Sequence, residues 1–132
     1  MRRVISILLE NEAGALSRVA GLFSARGYNI ESLTVAPTDD ASLSHMTIVT
    51  YGSDRVIEQI TKQLNKLIDV VRLIDLTDGA YVEREMLLAK IALAKLPLSD
   101  LKVLVELFNG CIIDICQSYC TVEITGTGHR LD

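Results

Sequence analysis

Two short stretches carry the residue types that could hold a small zwitterion. They are Asn11-Glu12-Ala13-Gly14-Ala15-Leu16 and Gly27-Tyr28-Asn29-Ile30. A turn that delivers the chain into a helix N-terminus exposes unpaired backbone N–H groups and the positive end of the helix dipole, which suits a carboxylate or another small anion. Gly14 has no Cβ, so a ligand can approach its backbone closely. Asn11 and Asn29 carry amides that both donate and accept, as an amino acid's ammonium and carboxylate require. The same residues also have an ordinary reading: Asn and Gly are turn formers, and Gly27 stops a helix.

The other polar residues do not assemble into a catalytic pattern. His45 and His129 are the only histidines, and neither lies in a metal or acid–base motif, so a surface or strand-end role is expected for both. Cys111, Cys116 and Cys120 lack C-x2-C spacing and fall within expected strands, where buried reduced thiols are expected rather than zinc ligands. Ser17 has no base nearby to make it a nucleophile. Glu10 with Glu12, and Asp39 with Asp40, read as solvated loop carboxylates. No phosphate-cradling Gly-rich loop is present.

The elements that must position the two stretches follow from periodicity. Val4–Leu9 is a β-branched apolar run, expected as a strand buried on both faces. Leu16, Val19, Ala20 and Phe23 recur at helical spacing up to Gly27. Asn29–Val35 alternates as a strand, Pro37–Ser44 reads as a polar hairpin loop, and Met46–Tyr51 as a third strand. Ser53-Asp54 caps a second helix with a stripe of Ile57, Ile60, Leu64 and Leu67 or Ile68, and Glu58 and Lys62 form an i,i+4 pair on its outer face. Val70–Leu76 is a fourth strand. This order predicts an α+β, ferredoxin-like βαββαβ sandwich over residues 1–76, with both helices on one face of an antiparallel sheet.

Residues 77–83 read as a polar connector. The pattern then restarts over residues 84–132: a strand at Met86–Leu93, a helix capped by Ser99 and running to Phe108, and strands at Cys111–Cys116 and Tyr119–Thr125. That is a βαββ unit, a second ferredoxin-like motif expected to be truncated before its second helix and fourth strand. Such a unit is expected to be less stable than the first or to rely on another chain. Leu101, Leu104, Val105 and Phe108 give its helix one apolar face, and Val103 and Leu107 place apolar surface outside that face.

Composition bounds the function. In 132 residues, 17 acidic and 13 basic side chains leave a net charge of −4, and no Lys/Arg cluster offers the basic face that nucleic acid needs. Leu, Ile, Val and Phe make up about a third of the chain, enough to bury a core. No apolar run approaches a membrane span, and the N-terminus does not read as a signal peptide. A cytoplasmic protein without nucleic-acid or membrane partners is expected.

The run NEAGALSRVAGLFSARGYNIESLTVAPTDD, followed by Met46-Thr47-Ile48, QLNKLIDV over residues 63–70 and VEREML over residues 82–87, resembles the ACT domain of the regulatory small subunit of acetohydroxyacid (acetolactate) synthase. The likeness is specific over residues 1–90 and weaker beyond, where the layout still agrees. The family's second domain normally completes its motif, and the chain departs from that by stopping at Asp132. The resemblance implies a subunit that is not an enzyme on its own. It would bind valine for feedback inhibition and activate a catalytic large subunit carrying thiamin diphosphate, Mg²⁺ and FAD, with no cofactor in this chain. The implied effector site falls on Asn11, Gly14, Ala15 and Leu16 of one protomer and Asn29 and Ile30 of another. At least a homodimer is therefore expected, with two sheets paired side by side to remove an open edge. The Pro37–Ser44 hairpin or the adjoining strand surface is the expected contact with the large subunit, since a protruding loop is where partner contacts often lie.

Three rival readings share the fold. An RNA-recognition module would need aromatics on its central strands and a basic surface, but the first strand has no aromatic, the third offers only Tyr51 at its end, and the net charge is negative. A small acylphosphatase-like enzyme would need an Arg loop gripping phosphate, where Glu10-Asn11-Glu12 stands instead. A generic ACT-type amino-acid sensor of another biosynthetic enzyme is the closest alternative.

Overall fold

The computed structural model describes residues 1–127 and divides into two compact units, the first Met1–Tyr81 and the second from Val82 onward. Unit 1 runs β1 (Arg2–Glu10), α1 (Ala15–Ala25), β2 (Ser32–Pro37), β3 (Leu43–Tyr51), α2 (Asp54–Asn65) and β4 (Val70–Asp75), closed by a single 3₁₀ turn at Leu76–Asp78. Its antiparallel sheet has the order β2-β3-β1-β4, with Ile7 opposite Met46 on one side and Leu73 on the other. This is the α+β ferredoxin-like arrangement. Both helices pack on one face, where Ile5, Ile7, Leu9, Met46 and Ile48 meet Val19 and Phe23 of α1 and Ile57, Ile60 and Leu64 of α2.

Local sequence explains each helix. Ala15, Val19 and Phe23 form an i, i+4, i+8 stripe, the buried face of α1. Gly27, at φ +72°, closes it: the Gly27 N–H donates to Ser24 O at 3.1 Å and the Tyr28 N–H to Phe23 O at 3.0 Å. At α2 the Ser53 hydroxyl accepts from the Val56 N–H at 3.3 Å, and Lys62 reaches Glu58 at 2.9 Å.

Several boundaries and faces differ from expectation. β1 is sealed by Ile5, Ile7 and Leu9 toward the helices, but Ser6 and Leu8 on the other face are only half-buried, because the helices form one layer. Leu16 lies off the buried stripe, exposed. Ile68 is 92% exposed and Leu67 takes its place against the core, since α2 ends at Asn65 and the chain turns before Ile68. β2 starts at Ser32 rather than Asn29, and Pro37 and Ser44 are paired ladder residues, so the hairpin loop is shortened to residues 38–42.

Unit 2 contains β5 (Glu85–Ala92), α3 (Leu98–Leu107), β6 (Cys111–Ile115) and β7 (Tyr119–Gly126), with sheet order β5-β7-β6. Leu101 and Val105 of α3 pack on Cys120 and Val122. The helix begins at Leu98 with Pro97 at the cap and no side-chain cap, so Ser99 stands inside the first turn rather than capping it: proline's fixed φ already sets the chain's entry. The thiols are also redistributed. Cys120 is buried, but Cys111 and Cys116 are exposed, because Cys111 points away from α3 opposite Glu123 and Cys116 lies beyond the end of β6. His129 lies outside the described residues. No helix among the described residues is long and apolar enough to cross a membrane.

Candidate functional site

The first stretch forms the rim of a cleft of about 220 Å³ where β1 hands the chain to α1. Asn11, Glu12, Ala15 and Leu16 line one side, and Val35 and Pro37 of β2 line the other. Gly14 is the N-cap of α1 in the left-handed region, φ +87°, and no side chain caps the helix. A β-carbon there would also meet the tip of the Arg18 side chain at 2.9 Å, and the left-handed backbone itself favours glycine. The Ala15 N–H donates to Glu12 O at 3.2 Å, which leaves the Leu16 and Ser17 amides of the uncapped first turn available to an anion.

Asn11 does two jobs. Its backbone N–H donates to Ser42 O at 2.8 Å and its Nδ2 to Ala41 O at 2.9 Å, pinning the hairpin loop over the entrance to α1. Its Oδ1 is left to accept from a ligand. Asp40 orders the same loop by accepting from the Ser42 N–H at 3.0 Å and hydroxyl at 2.7 Å, which hold its carboxyl below the usual range. Glu10 ends β1 half-buried rather than standing in a loop, Glu12 is exposed in the turn, and both residues line the cleft. Leu16, exposed and off the core stripe, supplies apolar surface with Val35 and Pro37. One end of the cleft thus suits a carboxylate, the rim an ammonium and the wall a short aliphatic group.

Below the cleft, Arg18 grips Asp69. Its NH2 lies 3.0 Å from Asp69 Oδ1 and its Nε hydrogen-bonds Oδ2, while the Asp69 backbone carbonyl accepts from the Glu10 N–H at 2.8 Å. These hydrogen bonds from Arg18 hold the nearly buried Asp69 carboxyl below its usual range and raise the guanidinium's own pKa. This pair escaped the sequence reading. Its only signal was an Arg four residues after Gly14, on the face that returns toward the turn.

Asn29 and Ile30 do not join this cleft. They follow α1, eleven residues or about 16 Å of helix from its start. The Asn29 carbonyl accepts from the Thr50 hydroxyl at 2.7 Å, its side chain is exposed, and Ile30 packs half-buried against the core. Within one chain the six residues singled out from the sequence therefore fall into two separate groups, one at the start of α1 and one after its end. His45 sits on an exposed strand position with Nε2 2.6 Å from Ser6 Oγ, and among the described residues no group of three His, Cys, Asp or Glu is placed to hold a metal ion.

Comparison with known proteins bears on both units. The pattern described as an AHAS small subunit-like ACT domain matches residues 5–72, and that described as the small subunit of acetolactate synthase matches residues 84–132. The chain is 58% identical over all 132 residues to the acetolactate synthase isozyme 3 small subunit of Escherichia coli K12, covering 81% of that protein. It is 45% identical over 130 residues to the probable acetolactate synthase small subunit of Methanothermobacter thermautotrophicus, covering 77% of it. The crystal structure of the small subunit from Thermotoga maritima superposes with a TM-score of 0.87 at 37% identity, over 99% of this chain and 82% of that one.

Proposed function

The chain belongs to the acetolactate synthase small-subunit family, and from that membership we propose that it senses valine and relays its level to a separate catalytic subunit. The observation that carries the reading is the uncapped, glycine-started N-terminus of α1 opening into a small apolar-walled cleft. In this reading the α-carboxylate of valine lies on the first-turn amides of α1, at the positive end of the helix. Its ammonium faces Asn11 Oδ1 and the Glu10 and Glu12 carboxylates. The isopropyl group meets Leu16 and, from a second copy of the chain, Ile30, with the Asn29 amide closing the polar end. Two copies are needed because Asn29 and Ile30 lie too far from their own chain's cleft. The functional assembly is then at least a homodimer, and unit 1 is its effector-sensing domain.

Chemistry stays with the partner. Thiamin diphosphate, Mg²⁺ and FAD are assigned to the catalytic large subunit in the cytoplasm, and no residue of this chain is given a role toward them. The 38–42 loop, ordered by Asp40 and tied to Asn11, is the surface we assign to the large subunit, because it joins the partner contact to the cleft. A generic ACT-type sensor of another enzyme is less well supported, since the small-subunit patterns span both units.

The test is Gly14→Asp in the full chain, reconstituted with the large subunit. The substitution places a Cβ against Arg18 and an anion at the carboxylate position. Valine inhibition is expected to disappear while activation persists. Unchanged valine affinity by calorimetry would overturn the assignment, and failure of the unmodified chain to co-purify with a large subunit would overturn the partner.

A further inference from the structure

We propose that Thr50 is a positioning residue for effector binding: it fixes the backbone on which Asn29 is presented, and so sets how tightly valine is held. The proposal rests on the reading that Asn29 meets valine at the cleft of a second copy.

Thr50 is a polar side chain in an apolar place. It is fully buried, on the same face of β3 as the core residues Met46 and Ile48. Valine has nearly the same shape and would fill the position with no polar group to desolvate. The hydroxyl has one use: Oγ1 donates to the Asn29 carbonyl at 2.7 Å, 21 positions away in sequence. Register explains why the bond falls there. The β2–β3 ladder stops at Ser32 opposite Val49, so no β2 residue stands opposite Thr50. Where the ladder stops, the Thr50 side chain takes over and holds the carbonyl of the incoming segment.

The neighbours of Asn29 are pinned as closely. The Tyr28 N–H donates to Phe23 O at 3.0 Å and the Glu31 N–H to Val49 O at 2.8 Å, while Tyr28 and Ile30 pack against the core. Asn29, between them, is exposed, and its side chain makes no hydrogen bond among the described residues. Asn11, by contrast, has its Nδ2 committed to Ala41 O. An exposed amide with donors and acceptor unused, on a backbone held on both sides, meets a ligand with little ordering left to do. Removing the Thr50 hydroxyl takes away the donor to the Asn29 carbonyl, and the amide is no longer presented in one direction.

Valine calorimetry on the full chain, with folding of each variant checked by circular dichroism, tests this. Thr50→Val should weaken valine binding at least about fivefold, because one hydrogen bond and the ordering it supplies are lost. Thr50→Ser keeps the hydroxyl and should bind within about twofold of the parent. Ile60→Val trims the core on α2 and controls for a general loss of stability, and it should also stay within about twofold. Parental affinity in Asn29→Ala would overturn the underlying reading and this inference with it. Loss of binding in Asn29→Ala with parental affinity in Thr50→Val would overturn the role of Thr50 alone. An equal loss from Ile60→Val, or no recovery with serine, would make Thr50 an ordinary core residue and overturn the proposal as well.

Discussion

Arg18 and Asp69, 51 positions apart in sequence, form a two-point ion pair beneath the turn that opens α1, and Asp69 is the buried partner. Through it, and through the Glu10 N–H that donates to Asp69 O, the start of α1, the end of β1 and the approach to β4 are held together.

The Asp69 carboxyl titrates lower in the folded chain than in the unfolded one because Arg18 hydrogen-bonds its charged form. Its contribution to stability is complete above the unfolded value of about 3.9 and is lost as pH falls through the folded value. Asp69→Asn should therefore unfold at a lower temperature than the parent at pH 7, with the gap closing below about pH 4. Thermal melts of both chains from pH 7 to pH 2.5 check this.

Phe23 and Ile68 make opposite predictions although both are large and apolar. Phe23 is 1% exposed between α1 and the sheet, so Phe23→Ala should cost about 3–5 kcal/mol by urea denaturation. Ile68 is 92% exposed, so Ile68→Ser should change stability by less than about 0.5 kcal/mol.

β1 and β5 are the opening strands of their units, but their hydrogen bonding differs. β1 is central, bonded on both sides by β3 and β4, whereas among the described residues β5 is an edge strand whose ladder runs to β7 alone, and it bears the exposed Met86 and Leu88. Hydrogen exchange on the full chain should show β5 amides exchanging well before those of Ile5, Ile7 and Leu9. Equal protection would mean that another segment or copy covers the β5 edge.

The order of elements and most of the core were legible because they rest on local signals. Ile57, Ile60 and Leu64 keep helical spacing, Ser53 is a capping residue, and Gly27 stops a helix, each within a few residues. The placing of Asn11, Gly14 and Leu16 together at the start of α1 was legible because a glycine-started helix after a polar turn is itself a local motif. What was missed depends on distance or on faces. The Arg18–Asp69 pair needs two segments brought together by the fold. Val35 and Pro37 enter the cleft only through the β2–β3 register. Ser99 has the right side chain for a cap but stands two residues after a proline that already starts the helix. Cys111 and Cys116 follow from where β6 ends and which face it turns from α3, which a strand pattern of five residues does not fix.

The central claim is that one effector site is shared by two copies of the chain, with Gly14 from one and Asn29 from the other. Mixing Gly14→Asp chains with Asn29→Ala chains tests it most directly by valine calorimetry. Each variant alone should bind no valine. After mixing and subunit exchange, each mixed dimer should regain one intact site, with parental affinity at about half the parental stoichiometry within the mixed population. If the mixture stays as silent as its components, or if either variant alone binds valine normally, the shared site does not exist.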